Sequence, residues 1–174
     1  MVKRCCRDGG RDSIIDVDMH PQSMKLAEAL KMRADLNQRL YRLQERLVNN
    51  SKVQEGESPG EDPAELLAEL DSATSQLQDL ICRINITNSV TVSPDGETIT
   101  ALIAKRDVLM RKVEIIRAFA DESSRTVSRH SASEIRVLST VNVRDMMKLA
   151  DDISKEIRVT DTRIQELNWT TELI

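Results

Sequence analysis

The sequence predicts a mainly α protein, with long antiparallel helices in a four-helix-bundle or coiled-coil arrangement and one or two short strand-like segments. Three observations carry this expectation. In the last long stretch Val143, Met146, Ala150, Ile153, Ile157, Thr160, Ile164 and Leu167 follow one another at alternating spacings of three and four. A seam that narrow calls for partner helices, and three further stretches of similar length repeat the pattern. Aromatic residues are scarce, with Phe119, Tyr41 and Trp169 the only three, which disfavours an all-β core.

Taken in order, residues 1–23 mix basic and acidic side chains with Gly9-Gly10 and one short apolar run, and read as a disordered extension. Met24 opens the helical stretch and is the expected natural start; residues 24–174 then form a single helical domain. The first helix runs from Met24 to Asn49 with Leu26, Ala29, Arg33, Leu36, Leu40, Leu43 and Leu47 on its seam. Two glycines and two prolines between Gln54 and Pro63 make a loop. Its acids are read as a helix start, with Asp62 as N-cap, Pro63 at the first position and Glu65 completing a capping box. The second helix, Pro63 to Ile84, carries Leu66, Leu70, Ala73, Leu77, Leu80 and Ile84. The third begins near Thr98 and carries Ile99, Leu102, Arg106, Leu109, Val113, Ile116 and Ala120.

Arg33 and Arg106 interrupt equivalent seam positions, about 10 Å of rise above the first seam residue of each helix. Counting back from the ends of the other two helices reaches Asp79 and Asp161. These four residues are expected to form a buried, self-neutralising polar layer that fixes register. Two segments change period. Ile84, Ile86, Val90 and Val92 alternate with small polar residues before the turn Pro94-Asp95-Gly96, and Ile135 and Val137 alternate within residues 134–143. Both read as short strands, able to pair with each other or with a neighbouring chain. Ten alternating residues also fit a strand crossing a bilayer in a barrel. Asn142 is the expected N-cap of the fourth helix, whose direction relative to the third is left open.

Composition excludes several functions. A net charge of −4 and a pI near 5.3 argue against nucleic acid as a partner. Cys5, Cys6 and Cys82 lack metal-ligand spacing and only two histidines are present, so no metal or other cofactor is expected, and reduced thiols suit a cytoplasmic protein. No glycine loop, no helical Glu-x-x-His pair and no nucleophile with a visible base points to catalysis. The expectation is a non-enzymatic, self-associating helical protein, a homo-oligomer.

Several local sequences carry a family resemblance: Gln54-Glu55-Gly56-Glu57 through Glu61-Asp62-Pro63, Arg83 to Asn88, Arg106-Asp107-Val108-Leu109, Ser139 to Val143, and Ile164 to Trp169. From Met24 onward the chain resembles the septicolysin-like family of small bacterial helical proteins. That resemblance implies a haemolysin, a pore former, and brings no catalytic residues with it. A membrane-permeabilising hairpin around residues 84–104, in a protein exported by a non-classical route, is therefore the alternative expectation.

Overall fold

The computed structural model describes residues 23–125 and 138–174, and the four expected helices are all present. They are α1 (Leu26–Asn49), α2 (Pro63–Val90), α3 (Ile99–Ser124) and α4 (Val143–Thr170). Three starts follow local rules. Asp62 Oδ1 accepts from the Ala64 amide with Pro63 in the first turn, Thr98 Oγ1 accepts from Ala101, and Asn142 Oδ1 accepts from Arg144. The return bond of a capping box is made at α1, where the Lys25 amide donates to Glu28 at 2.9 Å, whereas among the described residues Glu65 makes no such bond at α2.

The helices pair as two antiparallel hairpins, α1 with α2 and α3 with α4, each packed along its length; α1 meets α4, and α2 meets α3, over short stretches. Partners such as Arg39 with Glu69 and Lys105 with Glu156 give both hairpins their antiparallel register, which settles the direction of α4. The hairpins meet at a hub, where Leu26, Ala29, Leu80, Ile84, Ile99 and Leu173 form one buried cluster. Separate smaller clusters hold the arms: Leu43, Leu66 and Ala73 in the first, Val113, Ala150 and Ile153 in the second. Alanines that are fully buried on these seams (Ala29, Ala73, Ala120, Ala150) let the helix axes approach closely.

Main-chain bonds lock the hub. The Leu26 amide donates to the Thr171 carbonyl at 3.0 Å and the Leu173 amide to Met24 at 2.8 Å, pairing the residues before α1 with those after α4. Ser23, which the sequence placed in the disordered extension, donates to Glu172 at 2.9 Å; residues 1–22 lie outside the described residues. The α2–α3 turn is tightened by the Ser93 amide on Glu97 (2.8 Å) and by Gly96 at φ 87°, a left-handed conformation that glycine adopts without steric cost.

The strand expected at Ile84–Ser93 does not form. Instead α2 continues through Val90, and only an isolated bridge, Val92 to Thr98, follows it. Alternation misleads here because the helical seam runs on through Ile84 and Thr87, both fully buried or nearly so, leaving Ile86, Val90 and Val92 on the outside. The hydroxyl of Thr87 donates to the Arg83 carbonyl at 2.9 Å and accepts from the Ile174 amide at 3.1 Å, so a buried polar side chain is fully used. Ile135 and Val137 lie outside the described residues; Val143, at the end of the second alternating run, opens α4.

Replacing Thr87 with valine keeps the shape and removes the acceptor for the chain's last amide. The variant is expected to lose about 1 kcal/mol of stability, the usual cost of one such bond. Urea unfolding beside the wild type measures it.

Candidate functional site

The polar layer expected from the seams forms only in part. Arg106 reaches Asp161 at 3.3 Å and Asp107 at 2.9 Å, so that pair holds α3 to α4, and these carboxylates raise the Arg106 pKa. Arg33 is half-buried and Asp79 is exposed, and among the described residues no ion pair joins them. Register explains the difference. Asp161 flanks the α4 seam beside Thr160, whereas Asp79 lies off the α2 seam between Leu77 and Leu80 and points outward. The hairpins moreover diverge from the hub, so no single level passes through all four helices.

The ion pairs that do organise the first arm come from positions beside the seam. Arg39 Nε donates to Glu69 at 3.0 Å, and Arg46 donates to Glu69 at 3.0 Å and to Glu61 at 3.0 Å. Hydrogen bonding to Arg46 holds the Glu61 carboxyl below its ordinary value of 4.5, and hydrogen bonding to Arg39 does the same for Glu69. This clasp closes one side of the hairpin, next to the loop 50–62.

The opposite side of the same hairpin is different in kind. Along α1 the positions that follow the seam on that side are Ala27, Leu30, Ala34, Asn37, Tyr41, Gln44 and Val48, and none carries a charge. Along α2 they include Leu67, Thr74, Gln78 and Ile81, with Asp71 the one ionised residue. Tyr41 is 72% exposed, Val48 64% and Leu67 51%. Between the helices an open groove of about 420 Å³ is lined by Asn37, Leu40, Tyr41, Gln44, Leu47, Val48, Leu70 and Thr74. The second arm offers no equivalent: the corresponding stripes of α3 and α4 include Asp107, Glu114, Arg117, Asp121, Arg144, Asp151, Arg158 and Asp161.

A face of this composition suits contact with another protein surface, since its cover would desolvate few charges. Seam periodicity alone misses it. The signal lies in the neighbouring helical stripe, spaced three and four residues from Ala27 to Val48, in a chain that is 31% charged overall. The remaining chemistry is sparse. Among the described residues no three His, Cys, Asp or Glu side chains are placed to hold a metal, Cys82 is a free, exposed thiol, and no helix is long and apolar enough to cross a membrane.

Fold and surface together define a class: an all-α protein of two antiparallel helical hairpins sharing a hub, with one arm bearing a broad uncharged face. The chain belongs to a protein family of unknown function, DUF6847, whose model matches residues 33–173. It is similar to a functionally unknown conserved protein from Corynebacterium diphtheriae, known from a crystal structure, with 41% sequence identity and a TM-score of 0.78 over 87% of this chain and 99% of that one. No curated protein matches the chain.

The clasp makes a pH-dependent contribution of definite sign. Because Glu61 and Glu69 titrate below their ordinary value, their stabilisation is complete above about pH 4.5 and is lost as pH falls through their lowered values. Thermal unfolding followed by circular dichroism should show a midpoint that drops on acidification, and the E61Q/E69Q variant should show a smaller drop from a lower neutral starting point.

Proposed function

We propose that this is a non-enzymatic assembly protein that self-associates through the uncharged face of its α1–α2 arm. The observation that carries the reading is the distribution of charge on that arm. One side is held by the Arg39, Arg46, Glu61 and Glu69 clasp, and the other presents Tyr41, Val48, Leu67 and Ile81 with Asp71 as its single ionised residue. A two-helix hairpin buries only one narrow seam, and a second hairpin laid across it completes the four-helix cross-section that such elements ordinarily use.

Size favours the same reading. Beyond the hub residues Leu26, Ala29 and Leu30 the helix α1 runs on for about 28 Å, and two helices side by side are about 20 Å wide, so the face offers about 550 Å² per copy. Two such faces together reach the roughly 1,000 Å² that a specific interface needs. The competing hairpin around residues 84–104 would have to unwind the last turns of α2 and withdraw Ile84 and Thr87 from the hub, so assembly has the better support.

Light scattering on the purified protein at tens of micromolar is expected to give at least a dimer. Tyr41→Glu with Val48→Glu should yield monomers of unchanged helicity, because both side chains are exposed within one copy. A wild-type protein that stays strictly monomeric, or an oligomer untouched by the double substitution, would overturn the proposal.

A further inference from the structure

Resting on that reading, we infer that the partner is a second copy of this chain bound about a two-fold axis that crosses the middle of α1, so that the two α1 helices lie antiparallel with Asn37 and Gln38 at the axis. The inference comes from the residues themselves, because α1 is self-complementary about that point in three adjacent stripes.

In the outermost stripe Lys31 and Glu45 stand seven residues either side of Gln38. Both are exposed and, among the described residues, neither takes part in an ion pair. The axis sets Lys31 of each copy against Glu45 of the other, which makes two opposite-charge contacts from two unpaired groups. In the next stripe the axis sets Tyr41 against Ala34 and Val48 against Ala27, a large side chain over a small one each time. In the stripe nearest the groove Asn37 meets Asn37, an amide that both donates and accepts, while Leu30, at the level of Gln44, packs on the hub of its own copy. The pairs in all three stripes agree on one centre to within a residue, so a single rigid placement satisfies them. An isologous interface needs this self-complementarity, whereas a different partner would not require it.

The axis also fixes what α2 does. Register in the hairpin sets Arg39 beside Glu69 and packs Leu43 with Leu66, so the middle of α1 lies level with Leu70 and Asp71. The second copy therefore brings Leu67 to the level of Thr74 and Ala64 to that of Gln78, all uncharged. Asp71 meets Asp71, the one unfavourable pair on the face. Like charges facing across an interface weaken it, so this geometry makes a distinctive demand: removing the charge at Asp71 must tighten the dimer.

Sedimentation equilibrium of the full chain at low salt tests this with wild type, K31E, E45K, K31E/E45K and D71N, with circular dichroism of each for helicity. Each single swap creates two like-charge contacts per dimer and should weaken it about 3- to 30-fold. The double swap rebuilds both pairs in reverse and should return to within about threefold of wild type, and D71N should bind more tightly. A double swap as weak as the sum of the singles, or a D71N dimer no tighter than wild type, would overturn the two-fold placement while leaving self-association standing. A monomeric wild type would remove both. All three positions are exposed, so the buried seams that hold the fold are untouched by these changes.

Discussion

Both ends of the described chain and the α2–α3 turn converge on the same few cubic nanometres, and the molecule depends on that junction. Leu26, Ile84 and Ile99 are almost completely buried there, and a fully buried residue of that size contributes about 1.5–3 kcal/mol by removal from water. The residues after α4 close it: Thr171 and Leu173 bond to the residues around the start of α1, and the Ile174 carbonyl accepts from Arg83 at 2.8 Å. Ion pairing of Asp95 in the turn with Arg163 of α4 adds a tie between elements far apart in sequence. Among the described residues, each arm leaves this junction with only its own partner helix beside it.

That constraint explains how the arms are built. A hairpin that packs on nothing else must be stable on a seam two residues wide, which accounts for the fully buried alanines and for ion pairs flanking the seam. It also leaves the outer faces free to differ. The second arm spends its flanks on charges of both signs, the composition of a surface that stays in water. The first arm leaves one flank of its seam uncharged apart from Asp71, and the contrast between two arms of similar length and construction is what gives that face its meaning.

Helix number and order, and the N-caps Asp62 and Asn142, were legible from the amino acids because they rest on local rules, whereas the capping box expected at α2 is made at α1 instead. Arg106 with Asp161 was legible too, since both lie on or next to a seam. Its supposed counterpart failed because Asp79 was assigned by counting from a helix end that was itself misjudged. Treating Ile84–Ser93 as a strand moved the end of α2, and an error of one turn is enough to move a residue from seam to solvent. Thr87 lies behind both errors. Small polar β-branched residues favour strands in isolation, and only the hydroxyl's bond to the Ile174 amide, from 87 residues away, shows why one belongs in a buried helix.

The amino-acid sequence by itself therefore determined that this protein is four long helices with narrow apolar seams, because periodicity and capping act over a few residues. Only the tertiary structure decided which seams meet, that α4 runs antiparallel to α3, and that the four helices share one end while the arms diverge. It also decided which stripe of α1 lies outside the hairpin. The reason is physical: a seam specifies that a helix needs a partner, but which partner, and which flank is left bare, follows from the shape of the junction that residues far apart in the sequence build together.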